Sequence, residues 1–253
     1  MIFVFYFADI YEKSVLKNLK INMAGSNLIN SCEKCTAGWK NFKHLTKSEL
    51  DLVNTNRYEA IFKPGEVMIK QGAPASNALF MATGIAKSYI EGSKGKNFIL
   101  DLERPGNLIM GPGAYANSRH TYSVAAITSI QACFVSTDIL KQLARTNGAF
   151  AESILVEFCR KTVKSHTRMV GMAHKRMSGR LAEVLLYFSD EVFNSDEYEM
   201  IMTRQELGDM TSMAKECVVR ILKELEDSGI IYSDSAKVKI LDKRKLITIS
   251  EKG

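Results

Sequence analysis

The chain has 253 residues, 46% of them hydrophobic and 25% charged, with a formal net charge of +6. These proportions describe a globular protein of one large or two modest domains, and no apolar run reaches the roughly 18 residues of a membrane span. The positive total is not by itself evidence for nucleic-acid binding: residues 1–175 hold 22 Lys and Arg against 13 Asp and Glu, whereas residues 176–253 hold 12 against 15, so a DNA-binding C-terminal part would need a local basic patch.

The opening MIFVFYFADIYEKSVLKNLKINM is apolar at first, yet no Lys or Arg precedes the apolar stretch and no small-residue cleavage site closes it. A signal peptide needs both. Residues 1–30 are set apart as an extension, with Met23 the candidate true start. Cys32-Glu-Lys-Cys35 follows. As a C-x-x-C pair it is sufficient for a dithiol switch, but zinc would need two further ligands. The five cysteines are odd in number and scattered, so no disulfide framework is expected and a reducing cytoplasm is the expected location. Cys133, Cys159 and Cys217 read as small buried apolar residues, with Cys217 also open to oxidation.

A short helix is predicted over 48–56. From about 58 to 138 short apolar runs alternate with turn residues: YEAIF (58–62), EVMIK (66–70), ALFMA (78–82), IAKSYI (85–90), NFILDL (97–102), YSVAAI (122–127) and QACFV (131–135). Gly and Pro at the joints make this an all-β barrel or double-sheet roll. After Asn147-Gly148 the pattern changes to one long helix over 149–170, with two apolar stripes. One is Phe158, Thr162, Ser165, Met169 and Met172, and the other is Leu155, Cys159, Val163, His166, Val170 and Ala173. One face can lie on the roll, and the other, at coiled-coil spacing, can pair with its own copy. The first stripe is taken as the dimer seam. Gly171 is the candidate hinge before the basic stretch HKRMSGR (174–180), and a helix with Leu181, Val184, Leu185, Phe188 and Val192 on one face follows.

Thr203-Arg-Gln-Glu206 spells a capping box that starts a two-turn helix. Thr211-Ser212 makes a corner, and a second helix runs to about Asp227 with Val218, Ile221, Leu222 and Leu225 inward. Lys215, Glu216, Val219, Arg220 and Lys223 line its other side, Gly229 stops it, and IIYSDSAKVKIL reads as a two-stranded wing. Helix, helix, wing in this order is a winged helix-turn-helix. In such a motif the second helix enters the major groove, arginine forks onto guanine, a carboxylate accepts from cytosine, and an apolar side chain meets a thymine methyl. Glu216 and Arg220 are four apart and can pair, the acid holding the arginine in its reading pose.

FKPGEVMIKQGAPASNALFMATGIAKSYI and TRQELGDMTSMAKECVVRILKELEDSGII together resemble the CRP/FNR family of bacterial transcription regulators, across nearly all of 32–253. The resemblance implies an α+β architecture: an N-terminal cyclic-nucleotide-binding-type β-roll (31–148), a long dimerisation helix (149–175) and a C-terminal winged helix-turn-helix (176–253). It implies a homodimer on a pseudo-palindromic DNA site, with RNA polymerase a further partner. Base-reading falls on Glu216 and Arg220, with Lys215 a basic contact and Thr203, Arg204, Val219 and Lys223 the other candidates. Gly208 stands where alanine is usual, Ser212 where the turn glycine is, and Ala214 where serine is frequent.

For the roll, the family's nucleotide-binding stretch corresponds to MGPGAYANSRHTYSVAA (110–126). It holds no acid for a ribose hydroxyl, and the phosphate arginine falls on His120, with Arg119 one residue off and Thr121 following. Cyclic AMP or GMP is therefore not the expected ligand. A tight turn at Gly111 and Gly113 could still offer amides to an anion. The family's oxygen sensors hold an iron–sulfur cluster by four cysteines. Cys32, Cys35 and Cys133 match, but the third position is Asn41, so the cofactor is left open between a cluster, another metal, a thiol switch and none. No His spacing, Ser/His/Asp set or paired carboxylates support an enzyme. The alternatives to a regulator are a redox-active or metal-binding cupin-like enzyme and a winged protein-interaction module.

Overall fold

The computed structural model describes residues 39–252 apart from residue 235. Cys32 and Cys35 lie outside the described residues, as do residues 1–30. A 3-10 turn (Lys40–His44) leads to helix α1 (Lys47–Thr55), which opens on a second capping box: the Thr46 hydroxyl accepts from the Glu49 amide and the Glu49 carboxylate accepts from the Thr46 amide. Eight strands then alternate with short turns: β1 (Arg57–Phe62), β2 (Val67–Ile69), β3 (Asn77–Met81), β4 (Ala86–Glu91), β5 (Asn97–Glu103), β6 (Leu108–Ile109), β7 (Ser123–Ala126) and β8 (Ile130–Ser136). A one-turn helix α2 (Gly113–Ala116) lies between β6 and β7.

The strands form two antiparallel sheets ordered β1-β8-β3-β6 and β2-β7-β4-β5. Their inward side chains, among them Leu79, Met81, Ile109, Val124, Ile130 and Phe134, pack between the sheets. Alternation along β3 and β8 sends Ala78, Phe80, Cys133 and Val135 to the opposite face, beneath the helices. That face is covered by α1, α3 (Thr137–Thr146) and the start of the long helix α4 (Gly148–His174). Asn147 caps α4 by accepting from the Phe150 amide at 3.0 Å, while its side-chain amide donates to the His44 carbonyl and to Glu49. Trp39 closes the cluster edge-on to Phe150 and donates to Glu157 on α4, as does Asn41, both at 2.8 Å.

α4 runs without a break through Gly171 to His174, and the chain becomes extended only at Lys175 and Arg176. Gly171, the expected hinge, thus lies inside the helix, and the helix breaks four to five residues downstream of it. Gly171 is instead a packing position, because a Cβ there would lie 3.2 Å from the Glu183 carboxylate. The face of α4 turned to the roll is apolar only at its start, with Phe150, Ile154 and Phe158. Farther along it is basic: Lys161 donates to the Leu108 carbonyl, Lys164 pairs with Asp101, and Arg168 donates into β5. Phe158, placed by sequence on the dimer seam, therefore packs against the roll cluster. Thr162, Ser165 and Met169 are exposed, and Met172 is half-buried. The second stripe is the more exposed apolar one, with Leu155, Val163 and Val170 about 60% accessible, and Cys159 is exposed rather than buried.

Beyond the break lie α5 (Met177–Tyr187), a π turn (Phe188–Val192), β9 (Glu197–Glu199), α6 (Arg204–Thr211), α7 (Lys215–Asp227), β10 (Ile231–Ser233), β11 (Lys237–Ile240) and α8 (Lys243–Lys252). The strands form one antiparallel sheet, β10-β11-β9. Phe188 sits at the centre of this unit, edge-on to Tyr198 and Phe193. Its core is continuous with the outer face of the roll through Tyr89, Ile99, Leu102 and Ala125.

Candidate nucleic-acid interface

α6 begins as the capping box requires, with the Thr203 hydroxyl accepting from the Glu206 amide and the Glu206 carboxylate accepting from the Thr203 amide at 2.8 Å. The other carboxylate oxygen of Glu206 meets the Lys87 ammonium of β4 at 2.5 Å. Burial alone would push this carboxyl up, but Lys87 and Thr203 hold it below its ordinary value.

The corner to α7 is tight. Ser212 takes the left-handed conformation, φ 55° and ψ 49°, and the Gly208 carbonyl accepts from both the Ser212 and Met213 amides. A Cβ on Gly208 would lie 2.6 Å from the Met213 carbonyl oxygen. Helix propensity alone says that alanine at 208 would stabilise by about 0.5–1 kcal/mol. The contact reverses the sign: Gly208→Ala is expected to cost about 1–3 kcal/mol, because the corner must open to admit the methyl group. A thermal melt checks it, and a raised melting temperature would mean that the corner yields freely.

α7 buries Val218, Ile221, Leu222 and Leu225 against the core. Its opposite side is a shallow concavity lined by Lys215, Glu216, Val219, Arg220, Lys223 and Glu224. These residues are solvent-facing because a helix with one apolar stripe has nowhere else to turn its charged side. Arg220 pairs with Glu224 at 2.6 Å, and no pairing with Glu216 forms. Glu216 stands in the first turn, where the positive end of the helix favours an acid. Lys223 is held by Asp227 at 2.8 Å and Glu226 at 3.5 Å, which raises its ammonium above the ordinary value. Arg204 folds onto the wing, donating to the Ser233 hydroxyl and the Asp234 carbonyl, and burial lowers it. The structure thus gathers Lys215, Glu216, Val219 and Arg220 on one open surface. It leaves Lys223 at the far end and turns Arg204 away. Glu224 was missed by sequence reasoning; it stands four residues after Arg220 as Glu216 stands four before, and spacing alone does not choose between them.

The loop between β6 and β7 is tied to the turn between β2 and β3. Arg119 donates to the Gly72 carbonyl at 2.7 Å, and the buried His120, whose imidazole burial lowers, exchanges backbone hydrogen bonds with Gly72 and Ala73. Thr121 is exposed. A Cβ on Gly113 would lie 1.8 Å from the Arg119 carbonyl oxygen, so this glycine closes the loop, and Gly111 lies against the Tyr122 ring. The stretch itself supplies no carboxylate, the nearby Glu91 being taken by Ser123 and Lys70, and His120, at the family's phosphate position, is buried, so these residues differ from the family's cyclic-nucleotide contacts. Cys133 is buried, and the Arg57 guanidinium approaches its Sγ at 3.4 Å. Among the described residues no group of three or more His, Cys, Asp or Glu is arranged to hold a metal, and no helix is long and apolar enough to cross a membrane.

Comparisons with known proteins agree with this architecture. The cyclic nucleotide-binding domain family matches residues 59–147, and the Crp-like helix-turn-helix domain family matches residues 179–249. The chain is 24% identical to Electron transport regulator A of Shewanella oneidensis over 240 residues, covering 92% of this chain and 95% of that one. It is 24% identical to the Anaerobic regulatory protein of Pasteurella multocida, covering 81% and 77%. It is 25% identical to the cAMP-activated global transcriptional regulator CRP of Escherichia coli, covering 70% and 86%. Among solved structures, FixK2 from Bradyrhizobium japonicum shares the fold at a TM-score of 0.70 with 21% identity, covering 76% of this chain and 96% of that one. A CRP/FNR family regulator from Eubacterium rectale does so at 0.71 with 16% identity, covering 84% and 98%. Roll, long helix and winged motif, with relatives that regulate transcription, define a DNA-binding transcription regulator rather than an enzyme. The two domain matches together span more than half of the chain. The protein belongs to the CRP/FNR family.

Proposed function

We propose that this regulator works in the cytoplasm as a homodimer on a pseudo-palindromic operator, with Glu216 and Arg220 of α7 reading base edges and Lys215 contacting the backbone. The observation that carries this is the open side of α7. It presents an acid, a base and the apolar Val219 at the first turns, where a recognition helix meets the major groove. Pairing through the Leu155, Val163 and Val170 side of α4, continued by Met169, would bury the largest run of exposed apolar residues on the helix. RNA polymerase is the further partner such a regulator would engage.

The roll would sense a small molecule or a redox signal. The engaged Arg119 and the acid-free loop weigh against the cyclic nucleotide named for the E. coli relative. The names of the Shewanella and Pasteurella relatives, tied to electron transport and anaerobic regulation, favour redox. In that reading Cys133 would supply the roll-side thiol to the Cys32 and Cys35 pair, and an absorption spectrum of anaerobically purified protein separates a cluster, coloured and bleached by air, from a colourless thiol switch.

Selection from a random duplex pool is expected to return a pseudo-palindrome with half-site centres about 34–36 Å apart. Sedimentation should show two chains per duplex. A selected site with one half only, bound by a single chain, would overturn the dimer.

A further inference from the structure

Arg168 is a mostly buried arginine of α4 with an unusual set of partners. Its guanidinium lies 5.1 Å from the centre of the Phe98 ring and donates to three main-chain carbonyls. Those of Leu100 and Ile99, the latter at 2.6 Å, belong to β5 of the roll, and that of Met210, at 2.5 Å, belongs to the last turn of α6. No carboxylate pairs with it within ion-pair distance among the described residues; Asp101 helps it only from farther off. A buried cation without a counter-ion is tolerated only where its hydrogens are well used. Here the planar fork faces two domains at once, a geometry that the single ammonium of lysine cannot reproduce.

The Met210 carbonyl is one of the terminal carbonyls that α6 leaves without an internal partner. Its neighbour, the Thr211 carbonyl, accepts from Arg180 at 2.9 Å. The two arginines differ in origin. Arg180 stands on α5, within the same unit as α6, whereas Arg168 stands on the helix that carries the exposed apolar stripe. Three further ties gather on the same β4–β5 ribbon. Asp101 accepts from Tyr187 of α5 at 3.0 Å and from Lys164 of α4 at 3.0 Å, and Lys87 holds Glu206.

We infer that Arg168 is a positioning residue for operator spacing: it locks the helix-turn-helix corner to both the roll and α4, and so fixes the distance between the two recognition helices of the dimer. The inference rests on the homodimer proposed above. Without Arg168 the unit would keep its apolar core, Arg180, and the Lys87–Glu206 and Tyr187–Asp101 ties, but none of these joins the corner carbonyls to α4, so the winged unit could shift on α4 and accept other half-site distances. With the Arg168 fork in place such a shift must break hydrogen bonds to both domains.

The test uses the full chain and the operator selected by the parent protein, together with versions whose centre is one base pair longer or shorter. The parent is expected to prefer its own spacing by about tenfold. Arg168→Met should bring that ratio within about twofold while keeping base preference inside each half-site, because α7 itself is untouched. Arg168→Lys should recover part of the ratio, since an ammonium can reach one carbonyl. Arg180→Lys, the comparator, should leave the ratio at the parental value. If Arg168→Met does not fold by thermal melt, Arg168→Lys decides. A parental ratio in the folded Arg168 variants, or an equal loss in Arg180→Lys, would overturn the inference and leave the dimer standing. A parent with no spacing preference would also overturn the inference, whereas the dimer reading falls only if a single chain binds a site with one half.

Discussion

Arg220→Ala is expected to weaken operator binding by about 1–3 kcal/mol per half-site, roughly fivefold to 150-fold, and to relax preference at one base pair, while leaving the protein as stable as before. The two halves of this expectation come from different features of the same side chain. In the free protein Arg220 is more than half exposed, and its one ion pair, with the equally exposed Glu224, is of the kind that contributes about 0.3–0.5 kcal/mol or nothing measurable. In the groove the same guanidinium would meet a base edge with water excluded, where two parallel hydrogen bonds discriminate strongly. Glu224→Ala should spare stability likewise but alter discrimination less, because it removes a partner of the reader and not the reader. Binding to a panel of operators with single base changes, beside a thermal melt of each variant, measures both. Parental affinity for every base change would mean that α7 reads DNA without this residue.

Phe150→Ala is expected to cost about 3–5 kcal/mol, a fifth or more of the roughly 5–15 kcal/mol that stabilises an ordinary domain. Phe150 is fully buried at the first turn of α4, and its ring lies 5.7 Å from that of Trp39. Helix, roll and the start of the described chain meet there, so no neighbour can move in to fill the space without dragging an element with it. Trp39 is the single tryptophan of the chain, and its indole N–H is bound to Glu157. The loss should therefore register twice: as a lower midpoint in urea, and as a red-shifted emission from Trp39 as its pocket admits water. A midpoint within a few tenths molar of the parental one would mean that the cluster around Phe150 collapses onto the cavity.

Much of this was readable before any coordinates. Short apolar runs broken by Gly and Pro placed seven strands to within a residue or two, and the capping box at Thr203 placed α6. What escaped detection was too short or too dependent on distant contacts. β6 has two residues and cannot show an alternation. α3 follows β8 at Ser136 with no turn residue between, so nothing local marks the change. α8 contains Ile247, Thr248 and Ile249, a run suited to a strand, and is helical where it packs on α5. On α4 the two apolar stripes were visible, but their destinations were not, because the roll-facing line changes from Phe150, Ile154 and Phe158 to Lys161, Lys164 and Arg168. A search for apolar periodicity does not follow a line that turns basic and finds its partners among carbonyls. The choice of Glu224 over Glu216 by Arg220 is a matter of side-chain placement that spacing leaves open.

The unbroken course of α4 has a mechanical meaning. Twenty-seven residues of helix make a rod about 40 Å long, packed under Phe150 at one end and tied to β5 through Lys164 and Arg168 towards the other, where it meets the winged unit. A rod without a hinge stores little of the motion applied to it. A tilt of about 5° at the anchored end becomes a sweep of roughly 3.5 Å at the far end, comparable with the rise of one base pair. A small rearrangement at the base of this helix that also freed the Lys164 and Arg168 ties to β5 would therefore displace the winged unit by about one step of a duplex.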